Sequence, residues 1–118
     1  MFALLLMLAC DGGPKLRSQT LTDQGTVCLN DGMIQVNFPG CLSSSCDTVV
    51  ESSCSATYAD GVVTVHASVT VEREGDICTD DCGAITATCE LPAVDNPDSD
   101  LFLYAGEYSS LGVLCEGF

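Results

Sequence analysis

Residues 62–72 read VVTVHASVTVE, and this stretch decides the fold because apolar and polar side chains alternate along it. Successive side chains of a β-strand point to opposite faces, so the alternation predicts a strand with one buried and one solvated face. The inward face is predicted to carry Val63, Val65, Ala67, Val69 and Val71. The outward face is predicted to carry Thr64, His66, Ser68 and Thr70.

Shorter segments around this strand show the same period of two. Residues 52–58 are joined to it through Ala59-Asp60-Gly61, and Asp-Gly between alternating segments predicts a hairpin. Strands are also predicted at 33–38 and 84–90, with a final hairpin of 101–104 and 111–115 around Ala105-Gly106. Short strands without a long amphipathic helix predict an all-β fold, an antiparallel β-sandwich of immunoglobulin-like architecture stapled by disulfides. The chain has no Trp, which departs from true immunoglobulin domains.

Cysteine content indicates the redox compartment. The chain has 118 residues, the size of a single domain, and 9 of them are Cys. Such a density is typical of small exported domains and rare where cellular thiols stay reduced. We therefore expect an oxidising environment.

The charge balance excludes one class of partner. Lys15, Arg17 and Arg73 are the 3 basic residues, against 17 acidic ones, and the net charge is -14. A charge of this sign repels phosphate backbones, so nucleic-acid binding is excluded.

The amino-terminal segment predicts export and a lipid anchor. Residues 2–9, FALLLMLA, are too few to cross a bilayer, which needs about 20 helical residues, but they suit the apolar part of a signal peptide. The stretch Leu6-Met-Leu-Ala-Cys10 resembles the lipobox of bacterial lipoproteins. That resemblance implies cleavage before Cys10 and lipidation of its thiol. The alternative is an ordinary secretory cysteine, and the absence of Lys or Arg before the apolar run departs from the usual signal.

The chain accordingly divides into three parts. Residues 1–9 are predicted as a signal peptide, and residues 10–26, polar and interrupted by Gly and Pro, as a lipidated tether. Residues 27–118 are predicted as the cysteine-rich β-sandwich domain.

Without Cys10, an even number of cysteines remains for pairing: Cys28, Cys41, Cys46, Cys54, Cys78, Cys82, Cys89 and Cys115. Sequence alone does not determine their connectivity. The best-supported pairs are Cys28–Cys115, which joins the two ends of the domain, and Cys54–Cys89, since both residues lie in alternating segments. The other four lie in loops, where they could close locally or cross to each other.

Catalytic and zinc sites have little support in the sequence. His66 is the single His, and its same-face neighbours Thr64 and Ser68 are ordinary hydroxyls of an exposed sheet surface. A catalytic triad needs a base held by an orienting group beside a nucleophile. A zinc knuckle would need a C-x2-C pair, which the sequence lacks. We therefore predict no catalytic residue and no cofactor, with a small envelope hydrolase as an alternative.

A calcium site is a further alternative. Asp95, Asn96, Asp98 and Asp100 offer oxygen ligands in one loop, and Ca²⁺ takes about 6 to 8 of them. The segment lacks the spacing of an EF-hand, so a solvated turn is the competing interpretation. Asp76, Asp80 and Asp81 form a second acidic loop.

Residues 41–113 resemble a group of small cysteine-rich lipoproteins of Gram-negative bacteria. The likeness lies in Ser44-Ser45-Cys46, the Cys54 strand, the 62–71 strand, Cys78-Thr-Asp-Asp-Cys82-Gly83 and Cys89-Glu-Leu-Pro92. It implies an exported domain without an established activity. Cys28 and Cys115 are extra to this pattern.

These observations together predict a lipid-anchored protein of the bacterial cell envelope that faces the periplasm or the exterior. We expect a non-catalytic binding or structural module whose partners are membrane lipid, through acylated Cys10, and an envelope protein. A calcium-binding adhesion module is the alternative.

The lipid anchor is directly testable. The intact mass of the protein purified from membranes of its own host should show loss of residues 1–9 and diacylglycerol on Cys10, with the other cysteines oxidised. A mass that retains Met1, or free thiols beyond Cys10, would contradict the prediction.

Overall fold

The computed structural model describes residues 16–115 and contains two β-sheets. No helix occurs in these residues, so none there is long and apolar enough to cross a membrane. The all-β prediction is confirmed. The strands are β1 (Leu16–Thr22), β2 (Thr26–Asn30), β3 (Met33–Asn37), β4 (Asp47–Ala59), β5 (Val62–Glu74), β6 (Thr86–Glu90), β7 (Leu101–Tyr104) and β8 (Glu107–Ser110).

Strand β5 organises the large sheet, which contains β1, β4, β5, β7 and β8. Along one edge β5 pairs with β4, from Ala59 opposite Val62 to Asp47 opposite Arg73. The other edge is shared, because β7 pairs with residues 62–65 and β1 with residues 68–74. The small sheet has the order β2-β3-β6.

The pairing of β7 with β5 corrects the prediction of a purely antiparallel arrangement, because these two strands are parallel. After β5 the chain crosses to the small sheet, forms β6 and returns beside β5 in the same direction. A crossover of this length allows parallel pairing, which a tight turn does not. The other paired strands of the described residues are antiparallel.

Strand β1 lies within residues 10–26, the segment predicted as the tether. Leu16–Thr22 is a strand in register with β5, from Leu16 opposite Glu74 to Thr22 opposite Ser68. Most of its side chains are exposed, so the sequence carries no apolar alternation there. Backbone hydrogen bonds to the free edge of β5 form the strand without that pattern.

The final hairpin is also different from the prediction. Its second strand is β8, which begins directly after Ala105-Gly106, rather than residues 111–115. Ala105 and Gly106 have φ of 54° and 80°, and two positive φ values define a two-residue turn that pairs the adjacent residues. Beyond β8, Leu111 is buried in the core, and Cys115 N donates to Leu29 O at 2.8 Å.

The inner faces of the two sheets share one hydrophobic core. The predicted inward residues of β5 are buried, except that Val71 is partly exposed. Each sheet contributes to the core cluster, which contains Val27, Ile34, Val36, Phe38, Val63, Val65, Ala67, Val69, Ile85, Ala87, Phe102, Tyr104 and Leu111. Burying each large side chain stabilises the fold by about 1.5–3 kcal/mol.

Four disulfides connect distant parts of the chain: Cys28–Cys115, Cys41–Cys82, Cys46–Cys78 and Cys54–Cys89. The first and the last are the two pairs that the sequence favoured, and Cys54–Cys89 joins β4 to β6 across the sheets. The other four cysteines cross between the loops at 41–46 and 78–82 instead of closing within each loop. Each bridge restricts the unfolded chain and contributes about 2–4 kcal/mol.

A tight connection after β1 fills the gap between β1 and β7 on the shared edge of β5. Asp23 N donates to Ala67 O at 2.8 Å, and Ala67 N donates to Asp23 Oδ1 at 3.0 Å. The buried Tyr104 hydroxyl donates to Gln24 O at 2.7 Å. Gly25 follows at φ +88°, with its α-carbon close to the backbone of Asn37. A side chain at Gly25 would collide with the Asn37 carbonyl.

We expect Gly25→Ala to destabilise the protein by about 2 kcal/mol or more, because a methyl group adds a backbone collision to an unfavourable φ. Gly32→Ala is the matched control, since Gly32 has φ +79° and, apart from its chain neighbours, no residue lies within 4 Å of the place that its methyl group would take. Gly32→Ala should cost about 1 kcal/mol for the φ alone. Urea unfolding with intact disulfides measures the free energy of unfolding of both variants. Equal losses of stability in the two variants would contradict the predicted collision at Gly25.

Candidate functional site

The large sheet is longer than the small sheet, and this difference leaves an open groove. Strands β4 and β5 have 13 residues each, whereas each strand of the small sheet has 5. Near the Glu74 end of β5, a cavity of about 550 Å³ opens between the large sheet and the Pro39-Gly40-Cys41 loop that follows β3. Pockets for small ligands commonly have this size.

The inner face of the large sheet changes from apolar to charged along the groove. Residues directly opposite on neighbouring strands share a face, and the register pairs Leu21 with Val69, Gln19 with Val71, and Arg17 with Arg73. The apolar lining residues are Leu21, Pro39, Cys41, Val71 and Ile85. The polar ones are Arg17, Ser18, Gln19, Gln24, Asp47 and Arg73.

Asp47 holds the charged end of the groove in place. Arg73 donates to its carboxylate twice, from Nε at 2.6 Å and from Nη2 at 2.7 Å, and Ser43 N donates to Oδ2 at 2.7 Å. The Asp47 side chain is 3% exposed. The hydrogen bonds from Arg73, and then that from Ser43, lower the pKa of Asp47 to about 2. Asp47 therefore ties β4, β5 and the 41–46 loop together as a carboxylate.

The loop beside this ion pair is held by its own polar contacts. Thr79 N donates to Ser45 Oγ at 2.9 Å, and Ser44 N donates to Asp81 Oδ1 at 3.2 Å. The hydroxyl of Thr79 also donates to Asp81, and this bond is the main cause that lowers the pKa of Asp81. Together with Cys41–Cys82 and Cys46–Cys78, these bonds fix the loop that borders the groove.

Asp47 does not pair with Arg17. Within residues 16–115, the ion pairs involve Arg73 and His66, and Arg17 is exposed at the groove. Since Arg17 lies directly opposite Arg73, both side chains lie on the same face of the sheet. Two arginines and one aspartate leave this end of the groove with one net positive charge, in a chain whose net charge is -14.

His66 lies on the outer face of the large sheet, away from this groove. Its Nδ1 is 3.3 Å from Asp23 Oδ2, and its side chain is 68% exposed. A hollow of about 180 Å³ next to it is lined by hydroxyls that include Ser55, the residue opposite His66. Ser53 and Ser68 hydrogen-bond each other at 2.8 Å. In the described residues no hydroxyl hydrogen-bonds the imidazole. Asp23 could therefore orient His66 as in a catalytic triad, but no hydroxyl of these residues is placed as the nucleophile that His66 would activate.

The calcium candidates do not form a common site. Asp100 is buried and accepts hydrogen bonds at Oδ2 from the Tyr58 hydroxyl at 2.7 Å and from Asn96 N at 3.0 Å. The bond to Asp100 raises the pKa of Tyr58. Asp95 and Asp98 are exposed. No group of three or more His, Cys, Asp or Glu in the described part of the chain is placed to hold a metal ion.

Cys10, the predicted lipidation residue, lies outside the described residues. Searches for similar proteins find no match among family models, curated proteins or solved structures.

Two functional candidates were missed by the sequence analysis. Asp23 lies 43 residues from His66 in the sequence, and nothing near it suggested a pairing. The groove depends on the register of β1 with β5, and β1 falls within the predicted tether. The one available signal was that Arg17 and Arg73 are two of only 3 basic residues.

Asp47→Asn should destabilise the protein by about 1–2 kcal/mol at pH 7, because it removes charge-assisted bonds to a partly exposed Arg73. The folded pKa of Asp47, about 2, lies below its ordinary value of 3.8. The stabilisation by the carboxylate is therefore complete well above pH 4 and is lost as pH falls toward 2. Urea unfolding between pH 7 and pH 2 should show the difference from the wild type shrinking with acid. Asp98→Asn, at an exposed carboxylate, is the control and should change little; a pH-independent loss in Asp47→Asn would contradict the assignment.

Proposed function

We propose that this chain is an exported, lipid-anchored, non-catalytic binding module of the bacterial cell envelope, and that its ligand occupies the groove at the Glu74 end of β5. The observation that carries the proposal is the groove itself, about 550 Å³ in volume, with an apolar floor and a charged end. A concave site with a few fixed polar groups on an apolar lining is the usual form of a small-molecule site.

Rigidity of the groove walls supports a binding role. The large sheet forms one wall, and the opposite rim is the loop that Cys41–Cys82 and the Asp47 hydrogen bonds restrain. A site that is already ordered loses little conformational entropy when a ligand binds. The structure of the groove therefore favours binding over a purely mechanical role.

Export and anchoring rest on different observations. Four disulfides in one small chain suit an oxidising compartment outside the cytoplasm. The lipobox-like sequence before Cys10 supports attachment to membrane lipid, on the inner or the outer membrane, with the domain facing the periplasm or the exterior. In this proposal the two sheets form an immunoglobulin-like β-sandwich, whose shared core supports the two-layer arrangement.

The non-catalytic part of the proposal is supported by the geometry at His66. Asp23 is positioned to orient the imidazole, as in hydrolases, but it also completes the backbone pairing of Ala67. That structural role explains the position of Asp23 beside His66 without a catalytic function. The calcium alternative is weaker because Asp100 already accepts two hydrogen bonds within its loop.

A fragment screen by amide NMR tests the groove. The sample is the full exported chain with Cys10→Ser, oxidised, so that the lipid is absent and the disulfides remain. We expect fragments with an apolar body to shift amides of groove residues such as Gln19 and Val71. Gln19→Trp, which places a ring in the groove, should abolish these shifts.

Thr20→Trp is the matched control, because Thr20 is the next residue of β1 and points to the outer face, where it hydrogen-bonds Thr70. It should leave the shifts unchanged. Fragment shifts confined to the outer face, or groove shifts that survive Gln19→Trp, would refute the groove as the binding site.

A further inference from the structure

The distribution of cations in this chain points to the ligand of the groove. Only 3 of 118 residues are Lys or Arg, yet Arg17 and Arg73 lie directly opposite each other on β1 and β5. Like charges at directly opposed positions of a sheet are unfavourable for folding. The pairing therefore has no stabilising role of its own, and a chain with 17 acidic residues could have placed a carboxylate at either position.

The acidic residue in the groove satisfies only one of the two arginines. The Asp47 carboxylate accepts two bonds from Arg73 and a third from Ser43 N, so its hydrogen-bonding capacity is largely used. Arg17 forms no ion pair within residues 16–115. Its guanidinium group is a planar set of donors that matches the two oxygens of a carboxylate.

The local charge selects the type of anion. Arg17, Arg73 and Asp47 sum to one positive charge, which a single carboxylate neutralises. A dianionic phosphate would leave negative charge in a chain of net charge -14. Glu72 and Glu74 flank Arg73 on β5 and therefore lie on the outer face of the sheet, away from the groove. Exposed charges farther away are screened beyond about 8–10 Å at physiological salt.

The rest of the groove determines the body of the ligand. From the Arg17–Arg73 pair the inner face continues through Gln19 and Val71 to Leu21. Four residues along a strand span about 13 Å. A ligand whose anionic head lies at Arg17 therefore places its body against the apolar lining, with Pro39 and Ile85 on the facing side.

We infer that the groove binds an amphipathic monocarboxylate, with the carboxylate at Arg17 and the apolar body along Val71 and Leu21. This inference rests on the proposed function, since it names the ligand class of the same groove. Arg17 is the residue that distinguishes an anionic head from a neutral one.

Calorimetry with three amphiphiles of similar chain length tests the inference: octanoate, the neutral octyl glucoside and the cationic octylammonium, added to the oxidised Cys10→Ser chain. We expect octanoate to bind most tightly. Arg17→Gln should weaken the binding of octanoate about tenfold or more, which is the loss typical of a charge-assisted hydrogen bond. It should leave the affinity for octyl glucoside unchanged. Arg17→Lys should lose less affinity for octanoate than Arg17→Gln, because lysine keeps the positive charge but lacks the planar set of donors.

Thr57→Glu is the charge-matched control. It changes the net charge by the same amount as Arg17→Gln, and Thr57 is exposed opposite Thr64, on the outer face of the large sheet. Its affinity for octanoate should equal that of the unsubstituted chain. A loss as large as that of Arg17→Gln would mean that net charge, rather than Arg17, sets the affinity, and would overturn the inference.

The remaining outcomes separate the ligand class from the proposed function. If octyl glucoside binds as tightly as octanoate and Gln19→Trp blocks both, the carboxylate inference is wrong and the groove remains the binding site. If octanoate binding survives Arg17→Gln unchanged, the inference is likewise wrong. If neither the amphiphiles nor the NMR fragments perturb the groove, the inference and the proposed function both fail.

Discussion

The structure depends on one strand, β5, that is much longer than the strands of the sheet that faces it. Strand β5 has 13 residues and pairs with β4, β1 and β7, while the facing strands of the small sheet have 5. The inner face of β5 is therefore covered only along part of its length. The covered part carries Val63, Val65, Ala67 and Val69 and forms the core, whereas the part beyond Val71 meets solvent. The core and the groove are two portions of the same sheet face.

Two aspartates bind groups that this arrangement of strands leaves without a partner, a backbone amide of β5 and an arginine side chain. Asp23 completes the pairing of Ala67 in the gap between β1 and β7, and Asp47 holds Arg73 where the core ends. Burial, with a smaller contribution from the Asp23 charge, raises the pKa of Tyr104 to about 12, so its hydroxyl stays a donor to Gln24 O. These hydrogen bonds fix the positions of the groove and of the turn that borders it. They add no side chain to the hydrophobic core, apart from that of Tyr104.

Much of the β-structure was predictable because it depends on local alternation and turn chemistry. The strand at 62–72, its hairpin through Asp60-Gly61 and the strand at 33–38 all lie where the side-chain pattern placed them. The predictions failed where a strand forms through backbone pairing with a neighbour. Strand β1 has few buried side chains, and β8, with the sequence EYSS, is short and mostly exposed. The direction of β7 beside β5 depends on the path of the chain between the sheets.

The sequence by itself determined the all-β class, the inward face of β5 and a cysteine content of the kind that is typical of exported domains. It also indicated Cys28–Cys115 and Cys54–Cys89, because the positions of those residues in strands or at the domain ends restrict their partners. Only the tertiary structure decided that Arg17 lies opposite Arg73, that Asp47 neutralises one of them, and that Asp23 meets His66. These contacts join residues 26 to 56 positions apart. The pairing of β1 with β5, and the register shift between Val49 and Glu51 in the β4–β5 hairpin, set the positions of Arg17 and Asp47 beside Arg73, and no local alternation pattern or turn signal indicates either of them.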